Sequence, residues 1–290
     1  MINKKNIPTK CKLLISQWKE NLNLTNYERT KYKDILNQLD YQLTKSEKKE
    51  LQVSVYGRVG VGKSSLLNAL MEKQIFPTDI VNGNTKTIKS VKWCQRFKSL
   101  NKVELIDSPG IDEINNTNKE EINFHCLLDT DLILFVIDSD ITRIELNYIE
   151  ELLRHNKPIL LVLNRCDQWN ERETKLILSS IHKKLSFYKQ KIKIALVASS
   201  PRKAKIKADG TVRSEQKNPK VDILKRELKD IIDENGELLL CINSLRIAEQ
   251  FYKSLKENRL LKKKEAAQSL IGKYAALKAS GVAINPFLMI

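Results

Sequence analysis

The chain has 290 residues, enough to bury one full core with helical additions, and its formal net charge is +16. Its five cysteines are odd in number and show no Cys-x-x-Cys spacing, and its first residues form no apolar signal core. These features exclude a disulfide-framed secreted domain and predict a reducing, cytoplasmic setting. The three histidines are scattered without metal-ligand spacing, which argues against a histidine-based metal site.

The positive charge is unevenly distributed along the chain. Residues 1–50 carry 11 basic and 6 acidic side chains, residues 51–200 carry 21 and 18, and residues 201–290 carry 19 and 11. The basic excess therefore lies in the two flanks. Such flanks favour an anionic lipid surface or RNA as a partner.

Apolar periodicity predicts an α/β fold with a mostly parallel six-stranded sheet, covered by helices on both faces, and helical N- and C-terminal extensions. The predicted domains are residues 1–50, with two helices within 9–46, a central domain of 51–236, and a helical region of 237–290. Predicted strands are 51–56, 88–95, 102–107, 132–138, 159–163 and 192–197. Predicted helices lie near 63–73, 119–128, 142–155, 171–189, 219–235 and 239–261.

Residues 57–64 spell G-R-V-G-V-G-K-S between a predicted strand and a predicted helix, which is the context of a phosphate-binding loop. Glycines let backbone N–H groups turn inward around phosphate oxygens, helped by the positive end of the helix dipole. Lys63 would reach the β- and γ-phosphates, and the Ser64 hydroxyl would ligate Mg²⁺. The predicted nucleotide contacts of this loop are Gly57, Gly60, Gly62, Lys63, Ser64 and Ser65. The loop alone does not distinguish ATP from GTP.

A second segment begins where the strand 102–107 ends. Asp107 is placed to hold Mg²⁺ through water, and Gly110 lets a backbone N–H approach the γ-phosphate closely. Asp-x-Pro-Gly is an ordinary turn sequence on its own. Its position after the phosphate loop, with a strand before it, favours the functional interpretation.

A third segment, Asn164-Arg165-Cys166-Asp167, directly follows the apolar strand 159–163. The Asp167 carboxylate can accept from both N1–H and N2–H₂ of guanine, a donor pair that adenine lacks. Asn164 would contribute to the O6/N7 edge of the base and tie the loops together. As the third element of an ordered series, this segment selects GTP.

With these three motifs, the chain resembles the translation-factor-related P-loop GTPases, closest to the Era/TrmE-like and dynamin-like branches. Ala198-Ser199-Ser200 resembles the last guanine-contacting loop of that family, so Ser199 joins the expected nucleotide contacts. The resemblance covers residues 51–236. It implies a Mg²⁺-dependent, GTP-binding domain with two nucleotide-sensitive switch loops, which hydrolyses GTP to GDP and phosphate.

The resemblance also implies that a threonine of the first switch loop ligates Mg²⁺. Thr85 fits best and Thr87 is the alternative. The residues expected to serve catalysis are Lys63, Thr85 and Gly110, and those expected at the metal are Ser64, Thr85 and Asp107.

Three positions depart from the family pattern. Arg165 replaces the usual lysine, but its aliphatic stem can still lie beside the base. Gly60 replaces the asparagine of potassium-activated relatives, which argues against stimulation by potassium. Ile111 stands where Ras-like GTPases place a water-orienting glutamine, so slow intrinsic hydrolysis is expected. A homodimer contact or an activating protein is the expected source of the group that orients the attacking water.

The last fifty residues are predicted to form a long helix, then a lysine cluster at 262–264 and an apolar stretch of 266–290. That stretch resembles the beginning of the apolar domain found in some bacterial membrane-associated GTPases. A terminal helix docked on its own core remains the alternative.

The leading functional hypothesis is a GTPase switch acting at a membrane or partner surface, located in the cytoplasm and peripherally at the inner membrane. A ribosome- or RNA-associated assembly GTPase is second, because no Gly-x-x-Gly clamp or base-stacking aromatic pattern follows the central domain. The third is a scaffold that binds GTP without useful hydrolysis, motivated by Ile111 and Gly60.

Overall fold

The computed structural model describes residues 7–76, 89–111, 124, 126–188, 192–206 and 212–284. Its centre is a six-stranded sheet in the order β2-β3-β1-β4-β5-β6. The strands are β1 (Glu50–Tyr56), β2 (Lys89–Lys92), β3 (Lys102–Asp107), β4 (Leu132–Ile137), β5 (Ile159–Leu163) and β6 (Lys193–Leu196). All six predicted strands are present, and β2 is shorter than predicted.

Five strands run parallel, and only β2, at the edge beside β3, runs antiparallel. In the register of the centre, Val53 of β1 lies between Leu105 of β3 and Leu132 of β4. Every residue of β4 is buried, because a parallel sheet is covered on both faces and its central strands need apolar side chains on both. The carboxyl ends of the parallel strands meet at one edge, where the predicted motifs lie.

Helices cover both faces of the sheet, as the sequence predicts. They are α4 (Lys63–Met71), α5 (Arg143–Arg154), α6 (Glu171–Leu185) and α7 (Asp222–Ile284). One core joins the sheet to α4 and the first part of α7, and the other joins it to α5 and α6. The starts of α5 and α6 are fixed by capping boxes at Thr142 and Asn170. The six-stranded α/β prediction is confirmed.

The N-terminal extension contains three helices where the sequence predicts two. They are α1 (Ile7–Glu20), α2 (Asn26–Lys31) and α3 (Lys33–Lys48). Tyr32 separates α2 from α3, since its backbone (φ −106°, ψ 18°) leaves the helical region there. Ile15 of α1 and Leu39 of α3 pack with Ile247 of α7, so the extension lies along the C-terminal helix.

The helix α7 is continuous over 63 residues, whereas separate helices are predicted at 219–235 and 239–261. Gly236 stays inside the helix, and a Cβ built on it would lie 2.8 Å from the Leu100 side chain. Glycine therefore lets α7 pack closely against Leu100 at this position and does not end the helix. The predicted domain boundary at 236–237 falls within α7, and the division into domains stays a prediction.

The strongly basic sequence of residues 202–207 predicts a solvated loop, followed by a turn at Asp209-Gly210. The loop prediction is wrong for most of the segment. Arg202–Ile206 forms β7, which pairs antiparallel with β8 (Val212–Gln216) in a separate two-stranded sheet. The segment becomes a strand because its backbone pairs with β8, a partner that the basic composition of the segment does not reveal. The predicted turn between the strands lies outside the described residues.

The helix predicted at 119–128 lies mostly outside the described residues, and residues 126–129 are helical. In the described part of the chain, none of the helices combines the length and apolar character that crossing a bilayer requires.

Candidate nucleotide-binding site

The phosphate-loop segment turns from β1 into α4 through three glycines with positive φ. Gly57 (φ 150°) lies so close to β4 that a Cβ would be 2.2 Å from the Val136 carbonyl oxygen. A Cβ on Gly62 (φ 92°) would lie 2.4 Å from Nδ2 of Asn164. Gly60 (φ 82°) has open space around it. Glycine is therefore needed twice over at 57 and 62, by conformation and by close approach.

Lys63, the first residue of α4, is buried, and its ammonium group lies over the loop. Its Nζ donates hydrogen bonds to the carbonyl oxygens of Gly57 (3.0 Å) and Arg58 (2.8 Å). A Cβ on Gly110 would lie 3.0 Å from this Nζ. The structure therefore brings together the lysine and the glycine that are predicted to contact the γ-phosphate.

The next residue, Ser64, meets Asp107 at the end of β3. The Ser64 hydroxyl donates a 2.8 Å hydrogen bond to Oδ2 of Asp107, whose side chain is buried. A hydroxyl and a carboxylate supply the hard oxygen ligands that Mg²⁺ prefers, so this pair fits the predicted metal site. Ser65 follows in α4 and is half-buried.

Ile111 is buried in the core between the sheet and α5, and its N–H donates to the Gly57 carbonyl oxygen at 3.2 Å. Its side chain is turned into that core, consistent with the expectation that it does not orient a water molecule. Asp112 and Glu113, which follow Ile111 in the sequence and carry polar side chains that could orient water, lie outside the described residues. So do Thr85 and Thr87, the two candidates for the metal ligand of the first switch loop.

Asn164 connects three loops at the end of β5. Its Nδ2 donates to the carbonyl oxygen of Val61 (2.9 Å) and to Oγ of Ser199 (3.0 Å), while its Oδ1 accepts from the Ser199 N–H (3.0 Å). The side chain is almost fully buried. The phosphate loop, the Asn164 loop and the loop of Ser199 are thereby held in one arrangement.

The base-reading segment turns outward after Asn164. Arg165 has positive φ (59°), and the short 3₁₀ helix Cys166–Gln168 follows it. Asp167 in this helix is exposed, so its carboxylate is accessible to a base. The Cys166 N–H donates to the Val197 carbonyl oxygen at 3.0 Å, and burial raises the pKa of the Cys166 thiol. Cys166 therefore supports the loop as a neutral, packed side chain.

Three charged residues that are not among the predicted nucleotide contacts also lie at this edge: Arg58, Asp138 and Glu145. Asp138 directly follows β4, and Glu145 belongs to the capping box of α5. The Thr-x-x-Glu spacing of that capping box is visible in the sequence. The contact between Glu145 and Arg58 is not visible in the sequence, because the two residues are 87 positions apart.

Comparison with known proteins agrees with this geometry. A family model described as "50S ribosome-binding GTPase" matches residues 52–165. GTPase Der of Leptospira interrogans is 33% identical over 125 residues, covering 40% of this chain and 25% of Der. The tRNA modification GTPase MnmE of Helicobacter pylori is 34% identical over 158 residues, covering 52% of this chain and 33% of MnmE. The probable GTP-binding protein EngB of Campylobacter jejuni is 32% identical over 140 residues, covering 42% of this chain and 69% of EngB.

Among solved structures, Era of Aquifex aeolicus bound to GDP and AlF₄⁻ is similar, with 26% identity, a TM-score of 0.45 and 52% of each chain covered. The chain spans about a quarter of Der and a third of MnmE.

The fold, the ordered motifs and the relatives matched by sequence define a P-loop GTPase domain, the class of domain that binds guanine nucleotide and hydrolyses GTP. Within that class, the chain belongs to the Era/TrmE-like branch.

Proposed function

We propose that this GTPase works as a nucleotide-dependent switch whose state reaches a membrane or partner surface through its helical flanks. The observation that carries the proposal is the continuity of α7. It packs on the sheet through Leu224 and Leu228, and further along on the N-terminal helices through Phe251 and Leu255. One helix therefore belongs both to the nucleotide domain and to the flank.

The nucleotide contacts proposed for the switch are those predicted from the motifs. The γ-phosphate is assigned to Lys63, Thr85 and Gly110, and Mg²⁺ to Ser64, Thr85 and Asp107. The remaining contacts are Gly57, Gly60, Gly62, Ser65, Asn164, Arg165, Asp167 and Ser199. Lys63→Ala should abolish tight nucleotide binding, whereas Lys253→Ala in the exposed part of α7 should not change it. Unchanged GTP affinity in the Lys63 variant would contradict the assignment.

A route from the nucleotide to α7 is supported by the segment that precedes β4. Arg246 of α7 donates to the Leu128 carbonyl oxygen (2.8 Å), and Asn243 donates to the Asp129 carbonyl oxygen (2.7 Å). Residues 126–129 end the stretch that begins at the Asp107–Gly110 loop. A displacement of residues 126–129 would therefore act directly on α7.

The charge of α7 favours an anionic surface as the partner. Beyond Leu255 the side chains up to residue 273 are nearly all exposed, and Lys262, Lys263 and Lys264 lie together there. Exposed lysine clusters on a helix are attracted to anionic lipids, at about 1 kcal/mol per residue near the surface. The exposed Leu260 and Leu261 beside them offer apolar contact.

The membrane proposal is tested by co-sedimentation with phosphatidylcholine vesicles, with and without phosphatidylglycerol, while GTP turnover is measured. We expect binding that requires the anionic lipid and weakens when Lys262, Lys263 and Lys264 are changed to Gln. The matched control changes three exposed basic residues of α6 to Gln: Arg172, Lys175 and Lys183. The membrane proposal would be contradicted if the protein bound no vesicles, or bound neutral and anionic vesicles equally. It would also be contradicted if the α6 control variant lost as much binding as the lysine variant.

Ribosomal or other RNA is the second candidate partner. It is favoured by the basic flanks and by the family description, "50S ribosome-binding GTPase". RNA contact predicts that affinity falls steeply as salt rises, since bound lysines release counterions. Binding of an RNA duplex or loop that is stronger than vesicle binding and steeply salt-dependent would favour this candidate.

Slow intrinsic turnover is proposed because the Ile111 side chain is apolar and buried in the core, so it has no group that could orient an attacking water. A homodimer contact or an activating protein would then supply the missing group. A rate of hydrolysis per molecule that rises with protein concentration would support the homodimer. A concentration-independent rate that stays slow would favour a separate activating protein.

A further inference from the structure

Two arginines from different loops of the nucleotide site converge on one carboxylate. Arg58, in the phosphate loop, directs NH2 to Oδ1 of Asp138 at 3.5 Å. Arg165, in the base-reading loop, donates from NH1 to Oδ2 of the same residue at 3.1 Å. The second terminal nitrogen of Arg165 also donates to the Gly60 carbonyl oxygen. Asp138 therefore connects the loop expected to hold the phosphates with the loop expected to read the base.

Glu145 fixes the other side of Arg58. Its Oε1 accepts from Nε of Arg58 at 2.9 Å, and its side chain is only 1% exposed. Its Oε2 accepts from the N–H (2.8 Å) and hydroxyl (2.7 Å) of Thr142, so its position is set by the start of α5. A buried carboxylate with both oxygens in use gives Arg58 a fixed anchor.

The presence of arginine at 165, where relatives usually carry lysine, matters for this arrangement. A guanidinium group donates in two directions from one plane, so Arg165 bonds Asp138 and the Gly60 carbonyl at the same time. A lysine ammonium at the end of a flexible stem lacks this planar fork, so it is less suited to hold both acceptors. The phosphate loop is thus held through the side chain of Arg58 and through the carbonyl of Gly60.

We propose that Asp138 and Glu145 are positioning residues for guanine nucleotide binding, acting through Arg58 and Arg165 without contacting the nucleotide. The inference rests on the proposed nucleotide contacts. Its physical basis is preorganisation, since loops held in their binding conformation lose less entropy when the ligand binds. The side chains of Arg58, Asp138 and Arg165 are 31%, 20% and 42% exposed. Ion pairs with this exposure contribute little to folding.

The test is a double-mutant cycle on GDP and GTP affinity, measured by calorimetry with Asp138→Asn, Arg165→Lys and the double variant. Each single change should weaken both nucleotides by about fivefold to tenfold, and the double variant should lose little more than either single one. Glu145→Gln should weaken them similarly, because it replaces the anion that faces Arg58. The midpoint of thermal unfolding without nucleotide should change little for Asp138→Asn and Arg165→Lys.

Asp140→Asn is the matched control, since Asp140 follows the same strand but pairs with Lys184 of α6 at 2.7 Å. It should leave nucleotide affinity within about twofold. Additive losses, unchanged affinity in Asp138→Asn, or an equal loss in Asp140→Asn would overturn the proposal. Failure of the proposed nucleotide contacts would look different. The unaltered protein would then not bind guanine nucleotide, or Lys63→Ala would bind it equally well.

Discussion

The hydroxyl of Ser64 donates a 2.8 Å hydrogen bond to the carboxylate of Asp107. The two residues are 43 positions apart, one at the start of α4 and the other at the end of β3. They meet because the parallel strands β1 and β3 are neighbours and end at the same edge of the sheet. The two oxygens that Mg²⁺ is predicted to use are therefore already together.

Ser64→Ala should remove most of the Mg²⁺ dependence of GTP binding, because it deletes a proposed metal ligand. We expect the improvement in GTP affinity on adding Mg²⁺ to fall about tenfold or more, in a calorimetric titration at fixed ionic strength. Ser180→Ala is the control. It removes an α6 hydroxyl that donates to Asp140, and it should keep the full Mg²⁺ effect. The same Mg²⁺ effect in Ser64→Ala as in the unaltered protein would remove Ser64 from the metal site.

Lys157 connects the segment before β4 to α7 from a buried position. Its Nζ donates to the carbonyl oxygen of Thr130 (2.5 Å) and to Oδ1 of Asn243 (2.8 Å), and burial lowers its pKa. Lys157→Ala should reduce the free energy of unfolding by about 3 kcal/mol, since the Thr130 carbonyl and Asn243 Oδ1 each lose a hydrogen bond and a cavity is left. Urea denaturation measures this change.

Two comparison variants sharpen the Lys157 prediction. Lys157→Met keeps the apolar stem and should cost less than the alanine variant. Lys253→Ala removes an exposed ion pair with Glu249 and should change stability by about 0.5 kcal/mol or less. Equal effects of Lys157→Ala and Lys253→Ala would show that the buried contacts do not stabilise the fold.

The attachment of the N-terminal extension to α7 should depend on pH through Glu28. Hydrogen bonds from Arg259, at 2.8 and 3.0 Å, with a further one from the Thr25 N–H, lower the pKa of Glu28 from 4.5 to about 2. A carboxyl group with a lowered folded-state pKa stabilises the fold above its unfolded pKa. That stability is lost as the pH falls from about 4.5 towards 2.

Arg259→Gln measures this contribution by urea denaturation at pH 6 and pH 2.5. The difference in unfolding free energy between the unaltered protein and the variant should be larger at pH 6, where Glu28 is ionised in both folded and unfolded chains. Arg154→Gln, whose partner Glu151 is exposed, is the control and should show a small difference at both values. A pH-independent difference for Arg259→Gln would contradict the assignment of Glu28.

The motifs and the sheet could be predicted from sequence because each depends on local signals. Buried parallel strands are continuous apolar runs, and the residues that follow them share one edge of the sheet. The length of α7 could not be predicted, because Gly236 reads as a helix end until its contact with Leu100 is known. The meeting of Arg58 and Arg165 at Asp138 depends on side chains from distant positions, which no local pattern records.

Guanine recognition by Asp167 is tested by calorimetric titration of GTP, ATP and XTP against the unaltered protein and Asp167→Asn, all with Mg²⁺. We expect the unaltered protein to bind GTP and not ATP, because the Asp167 carboxylate accepts from the donor pair of guanine. The variant should weaken GTP binding and shift the preference towards XTP, whose base replaces the guanine amino group with a carbonyl oxygen. Equal binding of ATP and GTP, or unchanged GTP affinity in the variant, would contradict it.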